Sequence, residues 1–184
     1  MIFTPVVPVI DIEDMLRRYK TPRRRKKMAR VYEQNIAVVA EWAEPKAMVS
    51  EFAREEVAGL EAWLRPETVS VCLGLVTLGA RLDEVIGARS AEDVVAGAIL
   101  TEVSLAWIVA LAKQVRAKAG EQIGDRSLKV GPAYRPGVGR WPLEVQDVLF
   151  DKLDTAEIGV SLDEYKIMSP DKSTSLIIPL KVKK

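Results

Sequence analysis

The segment AYRPGVGRWPLEVQ, residues 133–146, combines an arginine with a glycine-rich backbone. No regular structure is expected in it before Pro142, where a proline can open a helix. The planar guanidinium of arginine binds carboxylates through two parallel hydrogen bonds, and glycines let backbone N–H and C=O groups approach a ligand closely. Arg135, Gly137 and Gly139 are therefore candidate ligand-binding residues. The alternative is an ordinary connection in which the glycines only make turns.

The chain of 184 residues contains no histidine. The commonest metal ligand and the usual general base at neutral pH are therefore missing. A zinc site, a serine triad or a cysteine–histidine pair cannot be assembled, so we predict neither a metal site nor a catalytic acid–base residue. The net charge of +1 argues against a dedicated polyanion binder.

The most apolar stretch, VVAGAILTEVSLAWIVALA at 94–112, carries Glu102 near its centre. The acid and the charged flanks favour a buried core helix over a membrane span. A lone carboxylate in such a helix is costly unless it is paired or faces a cleft. Glu102 either pairs with a neighbouring cation, turns to solvent, or lies beside a ligand.

Hydrophobic periodicity and breaker residues predict mixed elements. In the first half they are an edge strand over 5–10, a helix capped by Asp11 to about Arg18, a helix entered at Thr21–Pro22 and ended before Pro45, a strand over 46–57 and a central strand over 68–79. In the second half they are a short helix ending near Gly87, a helix from Ser90 to Ala119 stopped by Gly120, an amphipathic helix over 142–154, and two strands joined around Pro170. The order lacks a βαβ rhythm, so we predict an α+β fold with helices packed on a mainly antiparallel twisted sheet.

We predict a single domain over 1–184, with an N-terminal strand and helices in 1–44, a core in 45–178 and a tail in 179–184. The N-terminus lacks the basic region of a signal peptide. One cysteine, Cys72, makes no disulfide framework, which favours a reducing, cytoplasmic location and a buried, inert thiol.

Three stretches carry a resemblance to a known family. RPGVG (135–139), PLEVQDVLFDKLD (142–154) and IGVSLDEYKIMSPDKSTS (158–175) follow each other closely. Their R-x-x-x-G, M-x-P and S-x-S elements resemble the activation domain of cobalamin-dependent methionine synthase, especially its stand-alone bacterial relatives. The resemblance extends over roughly residues 45 to 178.

The resemblance implies a function. The family domain binds S-adenosylmethionine and docks on a corrinoid-carrying module of a methyltransferase. An electron from a reductase and the methyl group of S-adenosylmethionine then restore methylcobalamin from inactive Co(II). By this resemblance Arg135 holds the ligand and Gly137 and Gly139 line its groove through their backbone. Glu102 is the candidate carboxylate for the positive sulfonium. The cobalamin belongs to the partner, so the chain would only position the methyl donor.

Two other functions remain open from the sequence. A non-catalytic binding or scaffold protein of the same fold, without S-adenosylmethionine binding, is favoured by Arg140, which stands where many family members have tyrosine, and by Leu176, which replaces a glycine. A nucleic-acid-binding module would use RRRKK, Arg23 to Lys27, which opposes the helix dipole. No aromatic–basic motif accompanies that run, so we expect neither a nucleic acid nor a membrane as partner.

Overall fold

The computed structural model describes residues 1–124 and 126–183. Its strands and helices are β1 (Ile2–Phe3), α1 (Glu13–Leu16), α2 (Pro22–Trp42), β2 (Lys46–Ala53), β3 (Thr68–Thr77), α3 (Ala80–Glu92), α4 (Val94–Ile123), β4 (Leu128–Val130), α5 (Gln146–Lys152), β5 (Ser161–Leu162), β6 (Met168–Ser169) and β7 (Ser173–Val182). Three short 3-10 turns connect some of them, at Arg54–Glu56, Leu143–Val145 and Thr155–Ile158.

Five strands form one antiparallel sheet in the order β1-β2-β3-β7-β4. A separate two-stranded hairpin contains β5 and β6. Helix α4 packs on one face of the main sheet, and α2 and α3 pack against α4. The predicted α+β class with a mainly antiparallel sheet is therefore confirmed.

The sheet separates two hydrophobic cores. The first core lies under the helices and includes Cys72 and Val76 of β3 together with Trp107 of α4. The second core lies on the opposite face and includes Leu73 and Leu75 of β3. Because successive side chains of a strand point to opposite faces, a strand buried on both faces is apolar throughout. The prediction of β3 as a central strand is confirmed.

Helix α4 is the longest element and belongs to the first core. It is the one helix among the described residues with the length and hydropathy of a membrane span. Ten of its residues are nevertheless buried within the protein, among them Leu100, Trp107 and Leu111. The helix packs against β3 where Gly74 faces Val115: a Cβ on Gly74 would lie 2.6 Å from a Val115 methyl carbon.

The N-terminal strand was predicted at the wrong place. Residues 5–10 form no strand, and the paired residues are Ile2 and Phe3 of β1. Proline nitrogens cannot donate to a ladder, and the Val6 N–H and C=O are bound instead by the side-chain amide of Gln114, at 2.9 and 2.7 Å. Asp11 accepts the Glu13 N–H at the start of α1 as expected, but α1 ends at Leu16.

The boundary between α3 and α4 was also misplaced. Ser90 lies inside α3, where its hydroxyl donates to the Ile86 carbonyl, and α3 continues past Gly87 to Glu92. The N-cap of α4 is Asp93, whose carboxylate accepts the N–H groups of Val95 and Ala96. The predicted stop at Gly120 is wrong because α4 continues to Ile123, where Gly124 follows with φ +52°.

The C-terminal elements are shorter and differently divided than predicted. The helix expected over 142–154 is a 3-10 turn followed by α5, Gln146–Lys152. The first of the two expected strands is the small β5–β6 hairpin. The second is β7, which extends to Val182 and so includes most of the segment predicted as a tail. The helix predicted from Thr21 to before Pro45 and the strand predicted over 46–57 are confirmed as α2 and β2, apart from their exact ends.

We expect Gly74→Ala to lower the free energy of unfolding by about 1–3 kcal/mol, because the added methyl overpacks the contact with Val115. Gly87→Ala is the matched control: its Cβ would meet nothing within 4 Å, and alanine favours a helix by up to about 1 kcal/mol. Urea unfolding of both variants measures the difference. A Gly74→Ala protein as stable as Gly87→Ala would contradict the close packing.

We expect Cys72 to be unreactive in the folded protein. Burial raises the pKa of its thiol to about 12, so only about one thiol in ten thousand is a thiolate at pH 8. A chromogenic disulfide reagent should therefore label Cys72 only after urea unfolds the chain. Complete labelling within minutes in native buffer at pH 8 would show that the first core is open.

Candidate functional site

Strand β7 positions Arg135 through its outer edge. After β4, the chain continues along β7: the Gly131 N–H donates to Pro179 O at 2.8 Å, and Tyr134 and Ile177 exchange two hydrogen bonds of 2.8 Å. Ala133 packs on the first core and Tyr134 on the second. Arg135 follows on the side of α4, beside Leu176 of β7.

The loop from Arg135 to Trp141 is closed by its own backbone. Val138 N–H donates to Arg135 O, Trp141 N–H donates to Val138 O, and Gly137 N–H donates to Trp141 O at 2.9 Å. Gly137 and Gly139 have φ of +76° and +65°, a region that favours glycine. The turn geometry therefore requires both glycines, and the Gly137 N–H is occupied within the loop.

Aromatic side chains fix the far end of this loop. Trp141 is 2% exposed and stacks on Tyr134, with ring centroids 5.1 Å apart. The Trp63 ring lies next to Trp141, with ring centroids 6.5 Å apart, and the Arg140 guanidinium donates to the Trp63 carbonyl. Arg140, which replaces the tyrosine found in many members of the family that the sequence resembles, thus ties the loop to the segment before β3. The aromatic residues flanking RPGVG were the sequence signal for this anchoring.

Arg135 lines a small cavity between α4 and β7. We call it the Arg135 cavity; its volume is about 200 Å³. Its lining combines three cations with small apolar side chains: Lys113, Arg116, Arg135, Val109, Ala112, Ala133 and Leu176. Arg135 is exposed, and its side chain forms no hydrogen bond or ion pair with any described residue. Its guanidinium is therefore available to an anionic group such as a carboxylate.

A second cavity of about 640 Å³ adjoins the first. The two share Arg116 and Ala133, and the second also contains Lys129, Lys181 and the backbone around Gly131. Arg116 is oriented by hydrogen bonds from its guanidinium to the carbonyls of Gly131 and Val130. Together the cavities make a groove open enough for a ligand larger than a carboxylate. Sequence reasoning missed Lys113 and Arg116 as groove residues, although both recur on one face of α4.

Glu102 lies apart from Arg135. Its carboxylate accepts hydrogen bonds from Arg18 and from the Tyr32 hydroxyl, the latter at 2.9 Å. It lines a different cavity, one that shares only Val109 and Lys113 with the Arg135 cavity. Val109 follows Glu102 by seven positions in α4, which is about 10 Å along the helix axis. The structure does not bring these two predicted site residues together.

The charge on Glu102 is balanced locally. Its hydrogen bond raises the pKa of Arg18 above the usual range, and burial raises the pKa of Tyr32. A paired carboxylate is one of the roles expected from the sequence, and it explains how an acid is tolerated in an apolar helix. A ligand role for Glu102 stays a prediction.

The two serines of S-x-S are both used inside the protein. Ser173 donates to Pro170 O at 2.7 Å and lies 2.9 Å from the Thr77 hydroxyl. Buried Ser175 donates to the side-chain oxygen of Gln146 at 3.0 Å, and the Gln146 amide donates to Lys166 O at 2.8 Å. These bonds join β7, α5 and the β5–β6 hairpin, so the serines hold the elements around the site together.

The basic run Arg23 to Lys27 lies at the start of α2, capped by Thr21. Arg25 pairs with Glu13. Arg23, Lys26, Lys27 and Arg30 share one surface of the helix, as their spacing predicts. Contact of this surface with nucleic acid stays a prediction. Within residues 1–124 and 126–183, no group of three or more cysteine or acidic side chains is arranged to hold a metal ion.

The fold is similar to a solved structure, the crystal structure of the MetH reactivation domain bound to AdoHcy. The TM-score is 0.67, and the match covers 94% of this chain and 70% of that chain at 14% sequence identity. The likeness therefore concerns the fold, and it confirms the predicted activation-domain-like architecture. No protein-family model and no curated protein matches the chain.

We expect Glu102→Gln to lower the free energy of unfolding, because it removes the charge that pairs with Arg18. The loss should be only about 1 kcal/mol, since the ion pair is partly exposed. Glu33→Gln, which removes an exposed carboxylate from α2, is the control and should leave stability unchanged. Urea unfolding of the two variants measures the effect. Unchanged stability for Glu102→Gln, combined with lost ligand binding, would instead assign Glu102 to a ligand site.

Proposed function

We propose that the chain binds S-adenosylmethionine at the Arg135 cavity and supports reductive methylation of a corrinoid cofactor carried by a partner methyltransferase. The observation that carries the proposal is Arg135 itself. Arg135 lines the cavity and its side chain has no partner among the described residues. It belongs to the R-x-x-x-G segment of a fold similar to that of a domain solved with bound AdoHcy.

The ligand's methionine carboxylate is the natural partner for Arg135, because a guanidinium fork and a carboxylate make two parallel charge-assisted hydrogen bonds. The apolar wall of Val109, Ala112 and Leu176 suits the methylene chain of the ligand. The nucleoside would extend into the adjoining cavity, where the backbone of Gly131 to Ala133 is accessible. Gly137 contributes through the shape of the loop, since its N–H is already bonded to Trp141 O.

The partner in this proposal is a corrinoid-binding module, such as that of methionine synthase, working with an electron-donor reductase. The cobalt accepts the methyl group, so this chain needs to hold the donor in position and requires no general base of its own. The lack of histidine in the chain is compatible with that division of labour. The proposed setting is the cytoplasm.

A second candidate is a scaffold of the same fold that has lost the ligand. Two observations favour it: the Gly137 N–H is occupied within the loop, and Arg140 stands in the family's tyrosine position, bound to the Trp63 carbonyl. Such a protein would still dock on its partner but would bind no S-adenosyl compound. Ligand titration separates the two candidates.

We expect S-adenosylmethionine to bind the wild-type protein saturably in isothermal titration calorimetry, and Arg135→Ala to weaken binding at least tenfold, or about 1.4 kcal/mol. Arg30→Ala, which removes an exposed arginine outside the cavity, is the matched control and should bind like wild type. No binding by wild type, alone or with a corrinoid-binding partner, would favour the scaffold. Equal weakening by both substitutions would place the ligand elsewhere.

A further inference from the structure

The Arg135 cavity has cationic side chains in its lining and no carboxylate. Its three charged residues are Lys113, Arg116 and Arg135. The hydrogen bonds of Arg116 go to neutral backbone carbonyls, so its charge is not cancelled. Lys113 and Arg135 form no ion pair with any residue in 1–124 or 126–183. The electrostatic potential inside the cavity is therefore positive.

Carboxylates near this part of α4 lie outside the Arg135 cavity. Asp11 and Asp14 line the neighbouring cavity that also contains Lys113; Asp14 pairs with Arg17, and Asp11 accepts the Glu13 N–H. Glu102 is bound by Arg18 and Tyr32, and Glu121 pairs with Lys118 at 2.6 Å. Glu67 pairs with Lys181 at the edge of the adjoining cavity. None of these acids lines the Arg135 cavity, so cations outnumber carboxylates around a ligand there.

A positive cavity distinguishes two forms of the proposed ligand. S-adenosylmethionine carries a sulfonium cation, whereas the same molecule without the methyl group, S-adenosylhomocysteine, has a neutral thioether sulfur. Both have the carboxylate that suits Arg135. With the carboxylate held there, the sulfur would lie roughly 8 Å from the cationic groups, and three unit charges at that distance in water disfavour the sulfonium about tenfold.

We propose that Lys113 is a second cation for the ligand carboxylate beside Arg135, and that the all-cationic lining makes the site hold S-adenosylhomocysteine more tightly than S-adenosylmethionine. The proposal rests on the proposed function, because it assumes an S-adenosyl ligand in this cavity. The demethylated product then competes with the methyl donor for the same site, so the ratio of the two compounds regulates occupancy.

The test measures the dissociation constants of both compounds by calorimetry at low ionic strength, for wild type, Lys113→Met and Lys152→Met. Lys113 and Lys152 are both exposed, so neither substitution removes a core contact, and Lys152 of α5 is a charge-matched control outside the cavity. The quantity of interest is the affinity ratio of the thioether to the sulfonium compound. Changes in this ratio on substitution report charge, since contacts of the transferred methyl group are the same in each variant.

We expect a wild-type ratio of about ten that falls two- to threefold in Lys113→Met, is unchanged in Lys152→Met, and falls toward one at high salt, where charges are screened. Lys113→Met should also weaken binding of the thioether compound itself. A ratio at or below one, or a ratio unaffected by Lys113→Met, overturns the inference and leaves the proposed function in place. Failure of wild type to bind either compound overturns both.

Discussion

Strand β7 is hydrogen-bonded along both edges, and the arrangement of the site depends on this double pairing. One edge joins β3, so that residues 173–181 lie beside residues 68–77 at the centre of the sheet. The other edge accepts β4 and then Tyr134. Backbone groups buried in a sheet must find partners, and residues 128–134 supply them. As a consequence, Arg135 lies at the boundary between the sheet edge and α4.

The same constraint explains why the site uses both faces of the sheet. Alternation along an extended backbone directs Tyr134 toward the second core and leaves Arg135 beside α4. Trp141 stacks on Tyr134 and so returns the loop to the second core. Helix α4, which approaches β3 closely at Gly74 and Val115, also carries Val109 and Lys113 of the cavity wall. Rigid packing thus surrounds a loop whose conformation is set by its own hydrogen bonds.

Local chemistry in the sequence predicted most of the framework. The predictions were right for three patterns: the apolar run of β3, the Thr21–Pro22 start of α2 and the alternation in β2. Ser90 and Asp93 are both competent caps, and tertiary packing decided between them: Gly97 packs against Ser90, which requires Ser90 to lie inside α3. The strand expected over 5–10 does not form because the side chain of Gln114, distant in sequence, binds the Val6 N–H and C=O groups.

The site was less predictable because its members come from distant segments. Arg135 and its glycines were recognisable from their spacing, whereas Lys113 and Arg116 enter only through the packing of α4. Conversely, Glu102, Ser173 and Ser175 carry polar groups that a sequence would assign to a cleft, yet each finds partners inside the fold. Residue type indicates what a side chain can bind, but only the fold shows which partner lies within hydrogen-bonding distance.

The most direct test of the central claim, that an S-adenosyl ligand occupies the Arg135 cavity, is hydrogen–deuterium exchange of the full chain with and without S-adenosylhomocysteine. The account predicts slower exchange in the segments that line the two adjoining cavities: residues 129–141, residues 109–116 of α4 and residues 176–181 of β7. Slower exchange confined to the separate cavity between α2, α3 and α4, which is lined by Asn35, Val85 and Arg89, would contradict it. So would an exchange pattern that a saturating concentration of the compound leaves unchanged.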